Sequence, residues 1–140
     1  MPTITIRKQL SVPAAAVWAT LADFGNVDWI PGAGDVRVEG EGPGMRRVLS
    51  GSGPNPIVEQ LLWVDPAGRR LSYEITDNPL PVKRFAAVAT VADIGSDAGV
   101  SAVSWEVDYE PDGDDELARG AIEAVYGLMA DWIEQYVRTR

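Results

Sequence analysis

Two patterns of apolar side chains follow each other at the start of the chain. Residues 4–10 alternate between apolar and polar, a period of two that predicts a strand with one buried face. Residues 13–23 begin with a proline suited to the first turn of a helix, and their apolar side chains recur at helical spacing. Asn26–Trp29 is predicted to form a second short helical turn, which the Pro31-Gly32 pair ends.

From residue 35 onward, short apolar stretches are separated by turn sequences rich in Gly, Pro, Asn and Asp. The connections, among them Gly51–Asn55 and the loop Asp77–Pro81, are of hairpin length, which favours an antiparallel meander over parallel βαβ units. With the strand at residues 4–10 they make seven strands. The other predicted strands are Asp35–Glu39, Met45–Leu49, Ile57–Val64, Arg70–Thr76, Arg84–Ala92 and Val100–Tyr109.

The C-terminal part of the chain has the pattern of one long amphipathic helix that ends near Val137. Asp112 or Asp114 can cap its start, and the acidic residues that follow complement the helix dipole. An apolar stripe with a spacing of three to four residues predicts the face that packs on the sheet. It consists of Leu117, Ala121, Val125, Leu128, Trp132 and Tyr136, widened by Ile122, Met129 and Ile133.

Length and charge narrow the class of protein. A chain of 140 residues with 46% hydrophobic side chains is expected to form a single domain, residues 1–140. The net charge of −9 argues against a nucleic-acid partner and against binding to an anionic membrane surface, because both need a basic face. No segment resembles a signal peptide or reaches transmembrane length, so we expect a cytoplasmic protein.

The sequence contains no cysteine and no histidine, which excludes whole classes of chemistry. Disulfides, thiolate nucleophiles, Ser-His-Asp triads and imidazole metal sites are all ruled out. The acidic run Asp112–Glu116 lacks the loop that calcium requires, so we interpret it as a helix start and predict neither a metal site nor a cofactor. Acid–base chemistry would have to use Asp, Glu, Tyr, Lys or Arg.

The predicted element order, and five sequence motifs, resemble one superfamily. The motifs are Val12–Phe24, Trp29-Ile30-Pro31, Gly44–Val48, Glu59–Asp65 and Arg70–Tyr73. Together they resemble the START-like/Bet v 1-like (SRPBCC) superfamily, and within it the polyketide cyclase/dehydrase-like branch. The resemblance implies an α+β helix-grip fold, in which a curved seven-stranded antiparallel sheet wraps around a long C-terminal helix and two short helices follow the first strand. It also implies a cavity between sheet and helix for a hydrophobic or amphipathic ligand.

Strand parity brings three polar side chains to the inner face of the predicted sheet. Arg47, Glu59 and Tyr73 each share a strand face with apolar neighbours. A hairpin centred on Gly53 would set Arg47 opposite Glu59, and a turn centred on Pro66 would set Glu59 opposite Tyr73. Directly opposed side chains have Cβ atoms about 5 Å apart. We therefore expect a polar cluster inside an apolar wall.

This cluster has a catalytic interpretation and a structural one. Arg47 could stabilise an oxyanion, Glu59 could transfer a proton, and Tyr73 could orient a carbonyl or hydroxyl group. The resemblance supports the first two roles, because plant lachrymatory-factor synthases in the superfamily have a cavity arginine and glutamate that correspond to Arg47 and Glu59. Their cavity tyrosine corresponds to a position near Phe85, which has no hydroxyl. In the structural interpretation, Arg47 and Glu59 form an ion pair that only neutralises itself.

Five tryptophans and several other large side chains are candidates for the cavity wall. Aromatic walls suit flat, conjugated ligands, although any single one of these residues could serve only in core packing, as we expect of Trp18. Trp29, next to Pro31, is a candidate for the edge of a cavity entrance. The residues predicted to contact a ligand, besides Tyr73, are Trp29, Trp63, Phe85, Trp105, Val125, Leu128, Met129 and Trp132.

Three functions are compatible with these features. The first is a cofactor-independent cyclase, dehydratase or isomerase that acts on a polyketide-like or other hydrophobic carbonyl compound. The second is a non-catalytic binding or transport protein for a hydrophobic ligand or lipid. The third, a module that regulates a partner protein, is the least favoured, because no exposed apolar stripe or long charged arm is evident. We expect a small hydrophobic molecule as the partner, and a monomer or homodimer.

Overall fold

A computed structural model describes residues 2–50, 55–77 and 80–140 of the protein. In these ranges the backbone forms one antiparallel sheet and two α-helices. The elements are β1 (Thr3–Leu10), α1 (Ala14–Ala22), β2 (Val36–Glu39), β3 (Arg46–Leu49), β4 (Ile57–Asp65), β5 (Arg70–Asp77), β6 (Val82–Ile94), β7 (Asp97–Pro111) and α2 (Asp115–Arg138).

The seven strands follow the order β1-β7-β6-β5-β4-β3-β2, so the predicted antiparallel meander is confirmed from β2 to β7. The first strand, β1, forms the edge of the sheet opposite β2 and pairs with β7, so that Ile6 lies opposite Trp105. Both residues are buried, as are Ile122 and Ile133 on the long helix. The architecture is the α+β helix-grip fold expected from the sequence.

Only one short helix, α1, follows the first strand in the described part of the chain, so the expected second helix is absent. Residues 26–29 contain turns instead. The Asn26 amide donates to the carbonyl of Asp23, and the Asn26 side chain accepts a hydrogen bond of 3.0 Å from the Asp28 amide. Such side-chain bonds to a nearby amide compete with helix formation, which explains the difference.

The strand register agrees with the prediction on one side of Glu59 and differs on the other. Arg47 lies directly opposite Glu59, as predicted. Tyr73 lies opposite Leu61, whereas Glu59 faces Ile75, so the predicted Glu59–Tyr73 pairing is wrong. The turn explains most of the difference, because the ladder closes on Asp65 and Arg70 around a four-residue connection instead of centring on Pro66. The irregularity between Leu61 and Trp63 then shifts the pairing back by one residue.

The long helix buries a face that overlaps the predicted one only in part. Asp114 caps its start and accepts a hydrogen bond from the Glu116 amide. Leu117 and Leu128, both predicted to face the sheet, are 68% and 50% exposed. The observed face is centred about one residue away from the main predicted stripe, a rotation of about 100°, but it keeps the predicted Ile122 and Ile133. It also includes two alanines that allow close approach to the sheet. Its fully buried residues are Ala118, Ile122, Tyr126, Ala130 and Ile133.

Two predicted connections fall partly outside the described residues. These are residues 51–54 of the Gly51–Asn55 turn and residues 78–79 of the Asp77–Pro81 loop. Neither helix in the described ranges combines the length and the apolar character that crossing a membrane requires.

Candidate functional site

A buried ion pair occupies the inner face of the sheet. Arg47 Nε donates to Glu59 Oε1 at 2.5 Å, and the two side chains are only 6% and 12% exposed. The pair forms because β3 and β4 are neighbours and set these residues directly opposite each other. The turn after α1 completes the arrangement. The carbonyl of Phe24 accepts a 2.8 Å hydrogen bond from Arg47 Nη1, and the guanidinium lies 4.0 Å from the centre of the Phe24 ring.

The contacts of Arg47 explain why its positive charge is stable in an apolar interior. Removing a guanidinium and a carboxylate from water is costly, and the cost is offset only when the ions pair closely and bond to further polar groups. Glu59 supplies the opposite charge, while Phe24 supplies a carbonyl acceptor and an aromatic face. A guanidinium has further N–H groups beyond the two engaged here. Because Arg47 also lines the internal cavity, those groups are the ones available to a ligand.

Two tyrosines form a second polar contact in the interior. The hydroxyl oxygens of Tyr73 on β5 and Tyr126 on α2 are 2.5 Å apart, and both side chains are buried. The Tyr126 ring stacks on Phe85 at 6.0 Å between centroids and meets Trp105 edge-on at 4.9 Å. Burial raises the pKa of both phenols well above the ordinary value, and the negative charge of Glu59 adds to the effect. Both groups therefore remain neutral hydrogen-bond donors at physiological pH.

A small internal cavity lies between the sheet and α2. The centre of a water molecule can occupy only about 10 Å³ there, which is room for roughly one water. The cavity is thus present where the fold was expected to leave one, but side chains nearly fill it. Its lining consists of Leu21, Phe24, Trp29, Arg47, Leu71, Tyr73, Ala89, Trp105 and Met129.

A groove on the surface lies on the other side of Trp29. It offers about 230 Å³ by the same measure and runs between the turn that contains Trp29 and the end of α2. Trp29 lines both spaces and is 4% exposed, so its indole ring lies between the internal cavity and the groove. The other lining residues of the groove are Asp28, Pro31, Trp132, Gln135, Tyr136 and Thr139.

A wider depression of about 490 Å³ lies where β5 and β6 diverge. The pairing between β5 and β6 ends at Glu74 and Ala86. Lys83 and Arg84 contribute two positive charges to the lining of the depression. It is open to solvent and does not include the Arg47–Glu59 pair. We therefore regard the internal cavity, with its two polar contacts, as the candidate site.

The structure brings most of the predicted site residues to the interior, with two exceptions. Trp63 is 37% exposed on the outer face, because the irregularity between Leu61 and Trp63 reverses the side on which it projects. There its ring lies 5.5 Å from the guanidinium of Arg70. Leu128 is exposed for the reason given above. Of the others, Trp29, Tyr73, Phe85 and Trp105 are buried, Met129 lines the cavity, and Val125 and Trp132 pack against the core while partly exposed.

Sequence reasoning missed two residues of the site. Phe24 lies in irregular backbone, where no periodicity predicts the direction of a side chain. Ile122, Tyr126 and Ala130 are spaced four residues apart on α2 and so lie on one face of the helix. This spacing is visible in the sequence and could have identified Tyr126 as buried. Within the described ranges, no three carboxylate side chains come close enough together to hold a metal ion.

Comparisons with known proteins agree with this geometry. Residues 1–138 match a family model described as polyketide cyclase / dehydrase and lipid transport. No significant match was found among curated protein sequences. Among solved structures, an uncharacterised protein from Bacillus thuringiensis superposes with a TM-score of 0.84 at 21% identity, covering 97% of this chain and 98% of that one.

Two further solved structures share the same fold. Norcoclaurine synthase from Thalictrum flavum, solved in complex with dopamine and hydroxybenzaldehyde, superposes with a TM-score of 0.75 at 18% identity, covering 99% of this chain and 87% of that one. Ara h 8.0201 superposes with a TM-score of 0.75 at 21% identity and 99% coverage of both chains. At these identities the likeness shows the Bet v 1-like fold alone.

Proposed function

This chain belongs to the polyketide cyclase/dehydrase and lipid transport family, and from that premise we propose that it binds a small hydrophobic carbonyl compound between the sheet and α2. There it acts as a cofactor-independent cyclase, dehydratase or isomerase. Arg47 and Glu59 are the proposed catalytic residues.

One observation carries the proposal: Arg47, which is bonded to the buried Glu59, lines an internal cavity and not the protein surface. Replacing a buried ion pair by well-packed apolar residues is often neutral or stabilising, so stability alone is a weak reason to keep one. A base and a cation side by side in an apolar site are what enolate chemistry requires. Arg47 lines the cavity, and Glu59 is bonded to it.

The proposed chemistry uses the two groups in turn. The Glu59 carboxylate removes a proton from the carbon next to the ligand carbonyl, and the bonding electrons move onto the carbonyl oxygen. A free N–H of Arg47 donates to that oxygen and stabilises the enolate. Glu59 then returns the proton to a different carbon, which isomerises the ligand, or to a departing hydroxyl group, which leaves as water.

The small volume of the cavity favours a compact ligand over an extended one, because a compact ligand requires less movement of side chains. A cavity for about one water cannot hold a ligand until side chains move, and Trp29 is the side chain that separates it from the aromatic groove. Movement of one indole ring would join the two spaces. An extended lipid chain would need more displacement than this. The norcoclaurine synthase complex, with hydroxybenzaldehyde bound in the same fold, supports an aromatic carbonyl compound of similar size.

A non-catalytic ligand-binding protein is the alternative function. The observation that favours it is that Arg47 and Glu59 are already bonded to each other, so neither needs to act on a ligand. A binding protein of this kind requires only that the cavity has enough volume and an apolar lining.

Native mass spectrometry of the purified protein tests the proposal. We expect a co-purified apolar compound, or formation of a complex when hydrophobic aromatic ketones and aldehydes are added. A mass that always equals that of the bare chain, with no complex at any concentration of these compounds, would contradict ligand binding.

Two substitutions then separate catalysis from simple binding. With the bound compound or its reactive precursor as substrate, Glu59→Gln should retain binding but lose turnover, because an amide cannot accept the proton. Arg47→Lys, which keeps the charge, should retain part of the turnover. Conversion by Glu59→Gln at the wild-type rate would exclude the catalytic mechanism and leave the alternative.

A further inference from the structure

The Tyr73–Tyr126 contact leaves one hydroxyl proton without an acceptor in the part of the chain that the structure describes. Each phenol has a single O–H donor. One of the two donates across the 2.5 Å contact, and the other has no acceptor among the residues that the structure describes. Buried hydroxyl groups are almost always hydrogen-bonded, because an unsatisfied one loses its bonds to water and gains nothing in return. One of the two hydroxyl groups is therefore able to donate to an acceptor that the described residues do not supply.

The cavity indicates where this acceptor would lie. Tyr73 lines the internal cavity together with Arg47 and Trp105, whereas Tyr126 does not. The arrangement consistent with both facts has Tyr126 donating to Tyr73, and Tyr73 donating into the cavity. The stacked Phe85 ring and the edge-on Trp105 ring fix Tyr126, so its hydroxyl is held in place for this role.

The charges around the cavity decide what kind of acceptor fits. Arg47 and Glu59 cancel each other, so no net positive charge in the described interior would compensate an anion. Both phenols stay protonated and neutral because burial opposes their ionisation. A carboxylate would have to lose its hydration without a free cation to replace it, whereas a ketone or aldehyde oxygen needs only a donor.

We propose that the Tyr73–Tyr126 pair is the recognition point for the acceptor oxygen of a neutral ligand, with Tyr73 donating to that oxygen and Tyr126 positioning Tyr73. This inference deepens the proposed function and rests on it. It assigns selection of the ligand to a residue pair that joins the sheet to α2, and leaves Arg47 and Glu59 free for the reaction.

Three small probes that differ at one group test the inference by NMR titration of the wild-type protein. Acetophenone carries a neutral acceptor oxygen, ethylbenzene lacks the oxygen, and benzoate carries a charge. We expect acetophenone to bind more tightly than both. In Tyr73→Phe the affinity for acetophenone should fall about tenfold, the size of one hydrogen bond, while that for ethylbenzene stays unchanged.

A matched control and a direct readout separate this result from general damage to the fold. Tyr109→Phe removes a buried hydroxyl that bonds to Asp115 and does not line the cavity, so it should leave all three affinities unchanged. In the wild-type protein labelled at the tyrosine ring carbon that bears the oxygen, acetophenone should shift the Tyr73 signal, whereas ethylbenzene should shift it much less.

The outcomes distinguish the inference from the function beneath it. If acetophenone and ethylbenzene bind equally well, or if Tyr73→Phe keeps the preference for acetophenone, the recognition role is overturned while ligand binding stands. Tighter binding of benzoate than of acetophenone overturns the selection of a neutral ligand. If none of the probes binds to the wild-type protein, the proposed function fails, and the inference fails with it.

Discussion

The guanidinium of Arg47 and the carboxylate of Glu59 meet across two neighbouring strands, inside the protein and beside its internal cavity. Each charge is tolerated there only because the other is present. The pair is therefore both a structural element and the candidate catalytic centre, and substitutions must be designed to separate the two roles.

Removing one partner of the pair should destabilise the protein strongly. Arg47→Met or Glu59→Leu alone should each lower the free energy of unfolding by about 3–5 kcal/mol, because an unpaired charge remains buried. The double variant should be much more stable than the sum of the single losses indicates. Urea unfolding of the four proteins measures this coupling. Losses below about 1 kcal/mol in the single variants would mean that the pair is effectively exposed to solvent.

The two buried phenols should make stability fall at high pH. Burial is the main cause that raises the pKa of Tyr73 and Tyr126 above that of an unfolded tyrosine, about 10. The charge of Glu59 adds to the shift at Tyr73, and the contact with Tyr73 adds to it at Tyr126. Above that pH the unfolded chain loses these protons first, so stability that is fully present below about pH 10 is lost as the pH rises. Each phenol should contribute a decline of about 1.4 kcal/mol per pH unit.

Urea unfolding between pH 9 and 12, a range set around the ordinary tyrosine pKa of about 10, measures this slope. Tyr73→Phe should reduce it, because one buried phenol is removed. The phenolate absorbance gives a second measure, since the buried tyrosines should ionise only as the protein unfolds. Ionisation of all 4 tyrosines near pH 10 in the folded protein would be inconsistent with this packing.

Two apolar residues on α2 test which face of the helix is buried. Ile122 is fully buried, whereas Leu128 is 50% exposed. Ile122→Ala should therefore cost about 2–5 kcal/mol of stability, and Leu128→Ala no more than about 0.5 kcal/mol. Thermal or urea unfolding of the two variants measures both values. Similar costs at the two positions would indicate that the helix is rotated relative to the arrangement described above.

Two tryptophans test the proposed partition between cavity and groove. Trp29→Ala should cost about 3–5 kcal/mol and open the interior to solvent, because the indole lies between the two spaces. Trp63→Ala, on the outer face, should cost less than Trp29→Ala, since Trp63 is 37% exposed and its ring contact with Arg70 lies near solvent. Acrylamide quenching of the remaining tryptophans should rise in the first variant only. Unchanged quenching in Trp29→Ala would show that the indole does not seal the cavity.

Local periodicity was sufficient to predict the elements and one central contact. Alternation in the strands, turn residues between them and an acidic cap at Asp114 follow from backbone geometry, which acts over a few residues. Arg47 and Glu59 could be paired from the sequence because both lie in regular strands joined by one short connection. The family resemblance and the helix-grip fold depended on this same local information.

Tertiary packing decided everything that depends on rotation or register. The turn between β4 and β5 placed Tyr73 opposite Leu61, the irregularity between Leu61 and Trp63 turned Trp63 outward, and α2 buries Tyr126 rather than Leu128. The sequence alone contained two acceptable apolar stripes on the helix, and the choice between them depends on which set of side chains fits the sheet. For the same reason only the folded structure determined that the interior is nearly filled, since cavity volume is a small difference between large packed volumes.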